Sequence, residues 1–147
     1  MVLNIPHKIL KYRKKIIRNS WKTLILYHWK TNEELLVRAS FEWAVVSYLN
    51  DNKIDFQWQI PFYLDINNKN TLYVCDLYLP SIDKFIEIKG IFKSEINKLK
   101  WETFHKRYKN SEIWFEKDIE NFIGKTRYIF SKEYKKVIKN NERKDII

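Results

Sequence analysis

The chain has 147 residues, 45% of them hydrophobic and 16% aromatic, which supplies enough apolar surface for a packed core and excludes disorder throughout. Twenty-eight Lys and Arg against 18 Asp and Glu leave a formal charge of +10, a balance that suits a polyanionic partner such as nucleic acid. A single cysteine, Cys75, excludes an internal disulfide and a cysteine-built zinc cage, and points to a reducing compartment with the thiol as a small core residue.

No uninterrupted apolar run approaches the roughly 18 residues of a membrane span, and the basic start lacks the apolar stretch and cleavage site of a signal peptide. A soluble, cytoplasmic protein without membrane attachment is expected. Two glycines and three prolines leave no long linker, so the expected organisation is a single domain over 1–147. It divides into a basic arm (1–30), a core (31–118) and a basic extension (119–147). Charge follows this division: residues 1–32 carry eight basic side chains and no acid, 33–130 carry 14 against 15, and 131–147 carry six against three.

In chain order, residues 7–27 place Ile9, Leu10, Ile16, Ile17, Leu24 and Ile25 at spacings compatible with a helix, interleaved with Lys11, Arg13, Lys14, Lys15 and Arg18. This predicts a basic amphipathic helix that could face DNA, an anionic membrane or simply water. Thr31-Asn32-Glu33-Glu34 has the form of a capping box and predicts a helix reaching about Asn50. Glu42 falls on the same face of that helix as Ala39, Val45, Val46 and Leu49, where a carboxylate needs a partner. Arg38, one turn earlier, is one partner; a metal site shared with other acids is the alternative.

Residues 55–66 alternate apolar and polar side chains as a half-buried strand does, with Pro61 indicating an edge or a bulge. A turn at 67–70 leads to a second strand ending at Leu79, and a third spans 84–89. Ser94 is a predicted helix cap, and Trp101, Phe104 and Tyr108 follow at helical spacing as core residues. A short strand at 112–115, a helical turn at 119–123 and a basic helix from Ser131 complete the reading.

The chemistry concentrates in the second and third strands. Glu87 and Lys89 alternate with Ile86 and Ile88, which fixes a carboxylate beside an ammonium on one strand face. Asp76 on the neighbouring strand could converge with Glu87 to hold a hard divalent cation through oxygens. A surface cross-strand pattern is the plain alternative for Glu87 and Lys89.

Val37-Arg38-Ala39-Ser40-Phe41-Glu42, Tyr73-Val74-Cys75-Asp76, Leu79-Pro80 and Phe85-Ile86-Glu87-Ile88-Lys89-Gly90 resemble the PD-(D/E)XK nuclease superfamily. The likeness extends to small phage and intron-associated nucleases and to the phage junction-resolving endonuclease. It covers residues 37–115 and departs from the pattern at Cys75, which replaces the proline that names the family. The resemblance implies an α/β, restriction-endonuclease-like core with a mixed sheet: helix, three-stranded antiparallel meander, helix, strand. It implies that Asp76, Glu87 and the Ile88 carbonyl bind Mg²⁺ or Mn²⁺. Glu42 would serve a second ion or orient water, and Lys89 would orient or activate the nucleophile.

The expected function is metal-dependent DNA hydrolysis of the homing or mobile-element type, by a homodimer or homotetramer because one such site cuts one strand. Lys11, Arg13, Lys14, Lys15, Arg18, Arg38, Lys98 and Lys100 are the expected DNA contacts. A branched-DNA resolvase and a non-catalytic DNA-binding module are the alternatives.

Overall fold

The computed structural model describes residues 23–88 and 94–144, with side chains to 141. Among these residues are four α-helices and two sheets, one of two strands and one mixed sheet of four. The chain segregates into two compact units, one formed by Asp55–Phe115 and the other by segments on either side of it. Most of the predicted N-terminal helix, with Lys11, Arg13, Lys14, Lys15 and Arg18, lies outside the described residues, as does Lys89.

In the Asp55–Phe115 unit, β3 (Gln57–Ile66) and β4 (Lys69–Leu79) form an antiparallel hairpin, followed by β5 (Lys84–Ile88), α2 (Glu95–Arg107) and β6 (Ser111–Trp114). The strand order is β3-β4-β5-β6, with β6 parallel to β5 through the α2 crossover. The β3–β4 turn uses Asn67 and Asn68, both left-handed at φ 53° and 62°, the backbone that tight two-residue hairpins require. Ser94 caps α2 as predicted, its Oγ accepting from Asn97 N at 3.3 Å.

Aromatic packing explains why α2 lies on this sheet. Phe104 is fully buried, and its ring centroid is 4.8 Å from Tyr73, 5.0 Å from Phe62 and 5.5 Å from Phe85. Trp101 and Tyr108 flank it at 5.9 and 4.9 Å, fulfilling their expected core role. Burying such a ring contributes roughly 1.5–3 kcal/mol before the aromatic geometry is counted.

The other unit, described over 23–54 and 116–144, contains β1 (Leu24–Tyr27), β2 (Glu34–Val37), α1 (Ser40–Asp51), α3 (Glu116–Ile123) and α4 (Arg127–Lys144). Here two predicted elements are corrected. Residues 24–27 do not end a helix, and Thr31-Asn32-Glu33-Glu34 does not begin one; both segments belong to the β1–β2 hairpin. Thr31 Oγ1 accepts from Glu33 N at 3.2 Å, a local turn bond, while Asn32 takes a left-handed φ of 60°. Leu35, Leu36 and Val37 are consecutive buried residues of a strand, and the helix starts only at Ser40. Val45, Val46 and Leu49 then occupy its buried face, as expected.

The third correction concerns the C-terminal helix, which begins at Arg127 and not at Ser131. Gly124, at φ 73°, ends α3 with its amide on Glu120 O. The Glu120 side chain then accepts from Arg127 N at 2.7 Å, capping α4 from the preceding helix. Ring contacts join α1 to its neighbours: Tyr48 to Phe122 at 5.0 Å, Phe41 to Phe130 at 5.8 Å and Trp43 to Tyr134 at 6.0 Å. Among the described residues no helix is long and apolar enough to cross a membrane.

Candidate functional site

The β4–β5 corner is held before it presents any chemistry. A 3₁₀ turn, Pro80–Ile82, is followed by Asp83 at φ 48°, and Tyr78 Oη donates to Asp83 Oδ1 at 2.7 Å. Asn110 Nδ2 donates to Ile82 O at 3.1 Å and also to Asp83 O. The antiparallel register Leu77↔Ile86, Tyr78↔Phe85, Leu79↔Lys84 follows from this corner.

One step beyond that register the ladder gives way to a side chain. Asp76 Oδ2 accepts from Ile88 N at 2.7 Å, so a carboxylate occupies the place of a strand carbonyl. Hydrogen bonds to charged groups contribute about 1.5–3 kcal/mol, which orients Asp76 on the end of β5. Next to Ile88, Glu87 is only 4% exposed, and its Oε2 accepts from Tyr73 Oη at 2.6 Å. This burial removes the reading of Glu87 as part of an exposed cross-strand pattern.

Tyr73 escaped the sequence reading for a geometric reason. In a regular strand, residues an odd number apart face opposite ways. Tyr73 and Cys75 nevertheless share one apolar cluster with Tyr78 and Phe85. Strand β4 therefore turns over between Cys75 and Tyr78. The neighbouring strand marks the place: Gln59 has φ 54°, and the register passes from Trp58↔Leu77 to Ile60↔Cys75 without pairing Gln59 to Asp76. Asp76 thus stands at the irregular position, while the even spacing of Phe85 and Glu87 turns Glu87 towards Tyr73.

The two carboxylates are felt by the same neighbours. Burial pushes the Tyr73 phenol far above the usual tyrosine range, and the charges of Glu87 and Asp76 push it further, so it remains a proton donor. Burial likewise raises the Cys75 thiol, with Glu87 and Asp76 adding to the shift. Cys75 Sγ lies 3.5 Å from Ile86 O and 3.7 Å from Leu77 O, a packed and protonated group rather than a nucleophile.

Asp76, Glu87 and Ile88 are therefore brought together, with Tyr73 and Cys75 added to them. Glu42 belongs to the other unit, in the first turn of α1, half-buried. There its charge adds to burial in raising the Tyr134 phenol. Arg38 is exposed and precedes the helix, so the one-turn helical spacing expected for an Arg38–Glu42 pair does not exist. Lys98 and Lys100 lie on α2, exposed and half-buried respectively. Among the described residues, no three His, Cys, Asp or Glu side chains form a group able to hold a metal ion. A cavity of about 660 Å³ in the second unit, lined by residues including Trp43, Tyr48 and Asp51, contains none of the expected site residues. No family model, curated protein or solved structure matches the chain.

Proposed function

We propose that the protein is a divalent-metal-dependent DNA endonuclease whose reaction centre is built on Asp76, Glu87 and the backbone of Ile88. The observation that carries this reading is the burial of Glu87 beside Asp76. Placing a carboxylate out of water costs several kcal/mol unless charge or hydrogen bonds compensate it, and a second acid nearby increases that cost. Tyr73 donates a hydrogen bond to Glu87, and a bound cation would further offset the charge of two neighbouring acids.

The donors suit a particular ion. Carboxylate and carbonyl oxygens favour Mg²⁺ or Mn²⁺, and Mg²⁺ is commonly held by one or two protein carboxylates together with substrate phosphate and water. Two acids and the Ile88 carbonyl match that requirement. When bound, such an ion lowers the pKa of a coordinated water and neutralises charge on the phosphate. Tyr73 would keep Glu87 in one orientation, and the Asp76–Ile88 bond would keep the two strand ends in register. Lys89 would offset phosphate charge, and Glu42 would serve only where it reaches the same substrate. A homodimer or homotetramer accords with cutting both strands of a duplex.

Supercoiled, linear and cruciform DNA, each incubated with Mg²⁺, Mn²⁺ or EDTA, test the proposal. Cleavage is expected with either metal and not with EDTA. Asp76→Asn and Glu87→Gln should each lower the rate at least about 100-fold while DNA retention in Ca²⁺ persists. Binding without cleavage in every divalent metal would instead identify a DNA-binding module. Preference for the cruciform would identify a junction resolvase.

A further inference from the structure

The exposed positions of α4 between residues 127 and 140 are Arg127, Tyr128, Ile129, Lys132, Lys135, Lys136, Lys139 and Asn140, with no acid among them. At 100° per residue, the four lysines fall within an arc of about 100° on one side of the helix. Glu133, the acid within this stretch, is half-buried and paired to Lys125 at 3.1 Å. Among the described residues, none of the four lysines is in an ion pair. Tyr128, 69% exposed, extends the stripe by a turn, with the Lys132 ammonium 4.1 Å from its ring centroid.

Three ordinary explanations account poorly for this stripe. Favourable interaction with the helix dipole is confined to the last turn, whereas these lysines occupy the middle of an 18-residue helix. Helix support through i, i+4 pairs needs acids on the same face, and none is exposed there between residues 127 and 140. Membrane binding needs an apolar face to insert. Much of the apolar side of α4 is committed within its own unit, with Phe130 buried against Phe41 and Tyr134 half-buried beside Trp43, which leaves only Tyr128 and Ile129 exposed at its start.

We infer that Lys132, Lys135, Lys136 and Lys139 form a contact surface for the phosphate backbone of duplex DNA. The inference rests on the DNA-binding part of the proposed function, and it assigns binding to a helix outside the sheet that bears Asp76 and Glu87. Rows of ammonium groups one helical turn apart fit a polyanion with regularly repeated charge. They add affinity without selecting a sequence.

The test replaces all four lysines by Gln in the full chain and, separately, by Arg. Duplex binding is measured from 50 to 200 mM salt in Ca²⁺, with thermal unfolding as the control for folding. Four phosphate contacts contribute a log–log salt slope of about 3.6, so the parent should lose about 100-fold more affinity over this range than the Gln variant. The Arg variant should keep the parental slope. An unchanged slope in the Gln variant overturns the inference, as does a parent that binds no duplex. Loss of binding to phosphatidylserine vesicles with an unchanged DNA slope also overturns it. Cleavage in Mg²⁺ is scored independently: a slope change without cleavage removes the endonuclease reading and leaves the stripe standing. Cleavage with an unchanged slope does the reverse.

Discussion

Each of the two units encloses an ionisable side chain to the same degree, Glu87 in one and His28 in the other, both 4% exposed. Their surroundings differ in kind. His28 Nδ1 accepts from Lys30 N at 3.0 Å and Thr31 N at 3.3 Å, so its ring bonds the turn that follows it. Glu87 is bonded by a phenol 14 residues away, and a second acid lies on the next strand. A local backbone partner makes a buried polar group a fold-building device, as for His28. Tyr73 bonds Glu87 from a distance without building a turn, and the like charge of Asp76 raises the cost of burial, so the site role proposed for Glu87 rests on this contrast.

The contrast can be broken at Tyr73 first. Tyr73→Phe removes the phenol from a buried carboxylate and should cost about 1–3 kcal/mol at neutral pH, read by denaturant unfolding in EDTA. The gap should narrow in alkali. Because the folded phenol titrates above its unfolded value, its contribution is complete below about pH 10 and falls by roughly 1.4 kcal/mol per pH unit above it. A gap that widened above pH 10 would contradict the assigned environment.

Glu87→Gln should have a smaller effect of opposite sign. If the charge is kept for chemistry, the neutral amide, still able to accept from Tyr73, should stabilise the metal-free protein by on the order of 1 kcal/mol. A lowered melting temperature in EDTA would place Glu87 with His28 as a structural group. The smallest effect concerns Glu112, whose carboxyl is held below its usual range chiefly by the hydrogen bond from Lys84 at 2.6 Å. A depressed pKa contributes stability above the unfolded value and loses it as pH falls through the folded value. Acid titration of Glu112→Gln should therefore lack a loss of under about 1 kcal/mol that the parent shows below pH ~4.

The first unit was the more legible in sequence. Alternation over β3, Pro61 at its edge, the Asn67-Asn68 turn and the Ser94 cap are local signals, and each element formed where its residues indicated. Asp76 and Glu87 were legible because the strands carrying them were. Tyr73 was not, because strand parity assigns it to the face opposite Asp76 until the reversal near Gln59 is seen. The β1–β2 hairpin was hidden by a competing pattern: Thr31 followed three residues later by Glu34 suits a helix cap as well as a turn. The start of α4 was set by Glu120, a cap from another helix that no local pattern contains. The lysine spacing of α4 was present in the residues, but its meaning depended on which face the packing left exposed.

Pro61 carries a further consequence for how copies of the chain meet. As the ten-residue terminal strand of its sheet among the described residues, β3 would otherwise offer a long template for annealing to another molecule. A residue without an amide proton, two positions after the left-handed Gln59, interrupts that template near its middle while the inner ladder to β4 continues. Assembly by merging sheets end to end is thereby discouraged, and the protein gains protection from fibrous self-association.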